Sequence, residues 1–156
     1  MSAPAPRPTE QRVADTIAKL AEPNADVWVA SAGPDGAHLV PLSLAWIDER
    51  VVIALPTDSV TARNIAASGR ARLAVGPTRD VVMIDAELDA SHPVDDAPAS
   101  IADGYAAQAD WDPRGQAGYS FLAFRPRRVQ AWREANEIAG RTLMRNGTWV
   151  TQGDVG

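Results

Sequence analysis

The sequence predicts a mainly β fold, an antiparallel barrel that is closed or nearly closed and has a few peripheral helices. Three observations favour this class. Six or more short apolar runs have the length of strands, turn residues such as those at 33–36 and 146–147 separate them, and few segments have helical spacing. With 156 residues, 46% of them hydrophobic, the chain is long enough for one domain with a sizeable core.

The N-terminal region predicts a tail followed by one helix. Three prolines occur within residues 2–8, so residues 1–8 are expected to be a mobile tail and residues 9–156 a single domain. Thr9 is a candidate N-cap residue. Apolar residues then recur at spacings of four and three, which predicts an amphipathic helix over residues 9–21.

The rest of the chain predicts strands and one interruption. The expected strands cover residues 27–30, 38–47, 51–55, 71–75, 81–88, 119–124 and 129–133. The first three form an antiparallel meander. Residues 93–118 are expected to leave the barrel, with a weak helix at 99–107. Asn146-Gly147 between two apolar runs predicts a C-terminal hairpin over residues 142–150.

Composition excludes several function classes. There is no cysteine, which excludes thiol nucleophiles and thiolate metal sites, and the presence of only two histidines argues against a histidine-built metal site. The net charge of −5 argues against nucleic acid or an anionic membrane as the main partner. No apolar run approaches the ~20 residues that span a bilayer, and a cytoplasmic location is expected.

The segment from Leu55 to Asn64 carries the chemistry of a phosphate site. It joins an apolar strand to a short helix through the hydroxyls of Thr57, Ser59 and Thr61, and it includes Arg63. Free N–H groups at the start of a helix attract anions, and arginine binds phosphate oxygens. The alternative is that Ser59 only caps the helix while Arg63 is a solvated surface charge.

Other polar and aromatic residues have simpler interpretations. Trp28 and Trp46 are expected in the core, and His38 is expected to be an exposed strand residue. A second set is interpreted as a solvated charge ladder or an interface network without chemistry: Glu134, Glu137, Arg141 and Arg145.

The order of these elements resembles the flavin-binding split-barrel proteins related to pyridoxamine 5'-phosphate oxidase. The resemblance covers roughly residues 26–133, and its sharpest part is the stretch ALPTDSVTARNIAASGRARLAVG, residues 54–76. It implies a six-stranded antiparallel split β-barrel of Greek-key-like topology. It also implies a homodimer that holds a flavin at each interface edge.

The resemblance also implies a set of cofactor contacts. The phosphate contacts of the family fall on Thr57, Ser59 and Thr61, within the segment that also includes Leu55, Pro56, Arg63 and Asn64. Many relatives have a lysine where this chain has Thr61, so Arg63 would have to supply the positive charge. The flavin ring is expected against the backbone of Val40, Pro41, Leu42 and Ser43. Pro41 lacks an N–H, so it either turns the backbone toward a ligand or occupies an edge or a bulge.

Trp132 and Arg133 complete the expected contacts. Trp132 could stack near the flavin of the partner subunit, with Arg133 reaching the phosphate or a ring carbonyl; the alternative places Trp132 in the core or a dimer interface. No catalytic acid or base and no metal ligand can be named, since a flavin performs the redox chemistry itself. The expected function is an FMN-dependent oxidoreductase of the pyridoxamine phosphate oxidase-like group acting on an unidentified small molecule, with deazaflavin coenzyme F-420 as the second cofactor. True pyridoxamine phosphate oxidases have a C-terminal substrate motif built around Trp-Gly with following arginines, and Trp132-Arg133-Glu134 does not match it, so that specific activity is not expected. The alternative is a non-catalytic carrier of flavin, deazaflavin or haem.

Overall fold

The computed structural model describes residues 4–151 and has three α-helices and nine strands in that range. Two short 3-10 turns, Val94–Asp96 and Ala135–Glu137, also occur. The elements follow in this order: α1 (Thr9–Leu20), β1 (Asp26–Gly33), β2 (Gly36–Ser43), β3 (Ala45–Ile47), β4 (Arg50–Pro56), α2 (Val60–Ser68), β5 (Arg70–Val75), β6 (Val81–Pro93), α3 (Ala99–Ala109), β7 (Tyr119–Trp132), β8 (Thr142–Arg145) and β9 (Thr148–Trp149).

The nine strands of residues 4–151 form one antiparallel sheet. Its path is β2-β1-β5-β6-β7-β4-β3, and the hairpin of β8 and β9 pairs with β7. Strands β2 and β3 are the two ends of this path, so the sheet is not closed. The predicted mainly β class, the N-terminal helix and the C-terminal hairpin are confirmed. Of the described helices, none combines the length and the apolar composition needed to cross a membrane.

The inner face of the sheet encloses the main core. Along β1, Val27 and Val29 are buried, and the same alternation continues through Leu73 of β5 and Ile84 of β6. Successive side chains of a strand point to opposite faces, so these residues meet inside the curved sheet. Ile65 of α2 is also fully buried there, which attaches this helix to the core.

A second apolar cluster covers one part of the outer face. Helix α3 places Tyr105 against Phe121 of β7, with their ring centroids 5.4 Å apart, and Val52 and Ala54 of β4 belong to the same cluster. Burial raises the pKa of the Tyr105 phenol to about 12. Residues 93–118, which the sequence predicted to leave the barrel, therefore cover the outer face of β3, β4 and the first half of β7.

The outer face of β1 and β2 carries exposed apolar side chains. Trp28 is 49% exposed and Leu39 is 60% exposed. The expectation that Trp28 lies in the core is wrong, because Trp28 alternates with Val27 and Val29 and so points to the outer face. Trp46, in contrast, packs against the core. His38 is half-buried, because it lies opposite Ser31 on the inward-facing row.

Two predicted strands have different boundaries in the structure. The expected strand at 38–47 divides at the buried Leu44, whose N–H donates to Ala25 O (3.1 Å), so that β2 pairs with β1 and β3 pairs with β4. The expected pause around Pro126 is a bulge inside the continuous β7. Asp85 of β6 lies opposite Arg128 and Ala86 opposite Pro126, and the extra residue accommodates the missing N–H of proline.

The N-terminus of α1 differs from the sequence prediction. Pro8 occupies the N-cap position, without a side-chain cap, and Thr9 is already helical, so the N-cap assignment of Thr9 is wrong. Proline suits this boundary because its backbone has no N–H to satisfy and its φ is restricted. Residues 4–8 have no helix or strand, and Arg7 makes ion pairs with Asp15 and Glu137. Residues 1–3 of the expected tail lie outside the described residues.

Candidate functional site

The segment after β4 is built as a capped helix start. Ser59 has an extended backbone, with φ −65° and ψ 156°, and its Oγ accepts a hydrogen bond from Ala62 N at 3.2 Å. Helix α2 ends at Gly69, whose φ of 72° is the left-handed conformation that glycine adopts at low cost. Ser59 therefore caps helix α2. Its side chain accepts from the N–H of Ala62, and the N–H of Ser59 itself donates to Pro56 O at 3.1 Å, while the N–H groups of Val60 and Thr61 have no acceptor among the described residues.

The Thr57 side chain is engaged within the protein. Its hydroxyl lies 2.6 Å from Ser120 Oγ of β7, and its N–H donates to Gly118 O at 2.8 Å. A hydroxyl has one hydrogen and two acceptor lone pairs, so this pairing leaves capacity for a further hydrogen bond. Thr57 itself is exposed, whereas Ser120 is buried.

Two residues of the predicted phosphate site belong to the buried face of α2. Thr61 is 3% exposed and Asn64 is 8% exposed, and Asn64 Nδ2 donates to Ser31 Oγ of β1 at 3.2 Å. A Cβ built on Gly33 would collide with the Asn64 amide, so glycine at 33 is what permits this contact. The amide of Asn64 therefore anchors α2 to β1, which accounts for an asparagine here without a ligand. Leu55 is likewise buried in the core, and Pro56 is half-buried.

Arg63 is on the solvent side of α2. It is exposed, and within residues 4–151 its guanidinium has no ion-pair or hydrogen-bond partner. Arg63 is two positions after Thr61, about 200° around the helix, so the two side chains point in different directions. Within residues 4–151, Arg63 is thus an unpaired cation near the N-terminus of α2. Its side chain points in a different direction from that of Thr61, the position where the resemblance implies a lysine in many relatives.

The second expected segment lies at an edge of the sheet. Val40 and Leu42 are half-buried against the core, whereas Pro41 is exposed opposite Trp28, and Ser43 is half-buried. Strand β2 is one end of the sheet path, so of the alternatives for Pro41 the structure has the edge position. Helix α2 packs against β1 and β2, which brings this segment and the capped helix to the same part of the barrel.

Trp132 and Arg133 are held by their own chain. The Arg141 guanidinium lies 5.8 Å from the centroid of the half-buried Trp132 ring. The Arg133 side chain forms ion pairs with Asp80 at 3.3 Å and with Asp15 at 3.8 Å. The charge of Arg133 is therefore already compensated, in contrast to that of Arg63.

The two expected groups of contacts are not adjacent within one chain. Ser120 next to Thr57 is near the start of β7, and Trp132 ends it, which is roughly 40 Å along an extended strand at about 3.3 Å per residue. The two groups therefore lie at opposite ends of β7 (Tyr119–Trp132). Contacts from both groups to one cofactor would need a second copy of the chain.

The sequence did not predict one buried ion pair, that of Arg7 with Glu137. Glu137 is 3% exposed, and its carboxylate accepts hydrogen bonds from the Arg7 guanidinium at 2.9 and 2.8 Å. The interpretation of Glu137 as part of a solvated ladder is therefore wrong. Its partner is 130 positions away in the sequence, and no local charge pattern indicates a pairing over that separation. Arg7 holds the pKa of this carboxyl at about 2.

Comparison with known proteins finds solved structures of similar fold. Neither a protein-family model nor a curated protein matches this sequence. Among solved structures, an "F420 Reductase" superposes with a TM-score of 0.56 at 19% identity, covering 72% of this chain and 94% of the other. A putative pyridoxamine 5'-phosphate oxidase from Listeria innocua gives 0.58 at 11% identity, covering 79% and 97%. A heme binding protein from Mycobacterium smegmatis gives 0.60 at 17% identity, covering 94% and 60%.

The chain has the split-barrel fold. The solved neighbours include proteins described as pyridoxamine 5'-phosphate oxidase-like, as an F420 reductase and as heme binding. Their identities to this chain are all low, so the comparison shows the fold, while the cofactor and the reaction must be argued from residues. Within this split barrel, the exposed guanidinium of Arg63 near the start of α2 has no ion-pair or hydrogen-bond partner among the described residues.

Proposed function

We propose that this split-barrel protein binds FMN and acts as a flavin-dependent oxidoreductase on a small molecule, rather than as a true pyridoxamine phosphate oxidase. The observation that carries the proposal is the exposed, unpartnered guanidinium of Arg63 beside the N-terminus of α2, among the described residues. Free N–H groups and an arginine together suit a phosphate dianion. The Thr57 hydroxyl has capacity for one more hydrogen bond to the same group.

The residues of this chain would bind and orient the cofactor. FMN, when bound, supplies the hydride chemistry, so the protein needs no acid or base of its own for that step. The backbone of Val40, Pro41, Leu42 and Ser43 offers an edge of the sheet next to α2, with polar groups that a ring system can meet. The half-buried side chains of Val40 and Leu42 keep the protein side of that edge apolar.

A second copy of the chain completes the proposed site. The outer face of β1 and β2 exposes Trp28, Leu39 and Pro41, and in residues 4–151 no helix covers it, whereas α3 covers the outer face of β3 and β4. Arg72 and Asp85 lie on the adjoining strands with 3.4 Å between their charged groups. An apolar patch beside charges of both signs suits association with an identical surface. The homodimer would bring Trp132 and Arg133 of one subunit toward the cofactor of the other.

The absorbance spectrum of the purified protein tests this proposal directly. Bound FMN gives flavin bands, and denaturation followed by mass spectrometry identifies the released compound. We expect FMN to bind in titration, with coenzyme F-420 as the second cofactor to try. A protein that takes up neither compound would contradict the proposal. Reduction of the bound flavin by NADH or NADPH would support an oxidoreductase.

A non-catalytic carrier is the second candidate. The heme binding protein of known structure overlaps 94% of this chain, and the sequence offers no catalytic acid or base. A Soret band after incubation with haemin, together with no uptake of FMN, would favour haem binding. Tightly bound flavin that neither reduced nicotinamides nor a quinone oxidises or reduces would favour flavin storage.

A further inference from the structure

The N-terminal segment is attached to the segment that follows β7 through Arg7 and Glu137. The Arg7 N–H and Nε donate to Glu137 Oε1 at 3.1 and 2.9 Å, and its terminal nitrogen donates to Oε2 at 2.8 Å. The side chains of Arg7 and Glu137 are 11% and 4% exposed. An ion pair that has several hydrogen bonds and little solvent exposure is stronger than a surface ion pair.

Arg12 of α1 joins the backbones of the same two segments. Its side chain is buried at 5% exposure and donates to Arg7 O and to Glu137 O, each at 3.0 Å. We use the word clamp for the three residues Arg7, Arg12 and Glu137. Because both side chains and carbonyls take part, the clamp fixes the main chain on each side.

The clamp reaches the end of β7 through a main-chain hydrogen bond. Glu137 Oε2, which binds Arg7, also accepts from Arg133 N at 2.9 Å. The Arg133 side chain approaches Asp15 of α1, and Asp15 forms an ion pair with Arg7 at 2.8 Å. Arg7, Glu137, Arg133 and Asp15 thus form a closed ring of contacts, which connects the end of β7 to Arg7, a residue distant in sequence; the Arg133 guanidinium also pairs with Asp80 at 3.3 Å.

We infer that Arg7 and Glu137 are positioning residues that set the placement of Trp132 and Arg133 for the cofactor of a second subunit. The inference rests on the proposed function, because those two residues are proposed cofactor contacts. Arg7 acts through Glu137 on the Arg133 backbone and does not itself reach the α2 site. Loss of the clamp frees the end of β7, and the cofactor then has to order it on binding, which lowers the affinity.

The test compares Arg7→Ala and Glu137→Gln with the wild type and with Arg79→Ala. Arg79 pairs with Glu134 in the same region, but its side chain is 78% exposed, so Arg79→Ala is the matched control for loss of an ion pair that is not part of the clamp. Hydrogen exchange of a peptide over residues 131–141 is measured without cofactor, and FMN titration gives the Kd. All proteins are measured well below their melting temperature, so that a loss of stability alone leaves the Kd unchanged.

We expect both clamp variants to exchange faster over residues 131–141 and to bind FMN about tenfold more weakly, the effect of losing a charge-assisted hydrogen bond. Arg7→Lys, which retains the charge, should recover part of the affinity, and Arg79→Ala should match the wild type. Unchanged exchange in both clamp variants, or faster exchange with an unchanged Kd, overturns the inference alone. Wild-type protein that takes up no FMN overturns the proposed function and the inference with it.

Discussion

The hydroxyl oxygens of Thr57 and Ser120 lie 2.6 Å apart, so a side-chain hydrogen bond ties the end of β4 to the start of β7. Ser120 is buried, at 4% exposure, while Thr57 is at the surface beside the start of α2. This hydrogen bond therefore has two effects. It adds a side-chain hydrogen bond to the end of the β4–β7 ladder, and it holds the Thr57 hydroxyl in one place for the proposed phosphate.

Thr57→Val should destabilise the protein by about 1–3 kcal/mol, because the buried Ser120 hydroxyl loses its partner. Urea denaturation gives the free energy of unfolding. The double variant Thr57→Val with Ser120→Ala removes both polar groups and should cost less than the sum of the two single changes. Strict additivity would mean that the two hydroxyls do not interact in solution.

Arg63→Ala should weaken FMN binding by about 1.5–3 kcal/mol, the usual contribution of a charge-assisted hydrogen bond. Its effect on the free energy of unfolding should be within about 0.5 kcal/mol, because the side chain is exposed and has no partner in residues 4–151. Isothermal titration with FMN measures the affinity. Arg145→Ala, which removes another exposed arginine from the distant C-terminal hairpin, is the control. Equal affinity of Arg63→Ala and the wild type would show that the phosphate is bound elsewhere.

Gly33→Ala should destabilise the protein by about 1–3 kcal/mol through steric overlap with Asn64. The new methyl group has to displace the amide that binds Ser31, and so it loosens the attachment of α2 to β1. Thermal or urea unfolding measures the cost. The same substitution in an Asn64→Ala background should cost clearly less, because the overlapping group is gone. A cost that does not depend on residue 64 would assign the effect to the β1–β2 turn.

The stability contribution of Glu137 should disappear in acid. Hydrogen bonds from Arg7 lower the pKa of this carboxyl from 4.5 to about 2, so the folded protein binds the proton more weakly than the unfolded chain. The contribution is complete above pH ~4.5 and is lost as the pH falls through about 2; at neutral pH it is worth about 3 kcal/mol. Urea unfolding of wild type and Glu137→Gln should differ most near pH 7 and converge toward pH 2. A difference that stays constant with pH would contradict this account.

Leu39→Glu should dissociate the proposed homodimer without unfolding the subunit. Leu39 is 60% exposed on the outer face of β2, so a carboxylate there costs little in the monomer, whereas at an interface it would be buried without a partner. Sedimentation velocity measures the mass, and circular dichroism checks the fold. Ala14→Glu, on the exposed side of α1, is the control for added charge. A wild-type protein that is monomeric at high concentration would exclude this interface.

Much of the fold could be predicted from local patterns. The apolar runs of β1 and β5, the turn residues and the spacing in α1 predicted elements whose existence the structure confirms. Asn146-Gly147 predicted the hairpin because both residues adopt positive φ, 51° and 78°, as a tight two-residue turn requires. Strand β6 is longer than predicted. It continues to Pro93, because the first half of β7 supplies partners that extend the ladder after the apolar alternation ends.

The candidate site could be located in the sequence but not characterised there. The hydroxyls and Arg63 identified the segment from Leu55 to Asn64, and the structure places a capped helix in it. Which of its polar groups are free depends on partners far away in the sequence. Ser120 binds Thr57 and Ser31 binds Asn64, whereas the exposed guanidinium of Arg63 has no partner within the described part of the chain.

By itself the sequence determined the mainly β class, the order of most strands and the location of a polar helix start. These depend on short apolar runs, turn residues and capping, which act over a few positions. Only the tertiary structure decided that Trp28 faces outward, that Glu137 is buried with Arg7, and that Arg63 is free while Arg133 is paired. Each of these facts depends on which distant segments pack together, and burial and ion pairing are properties of that packing rather than of local sequence.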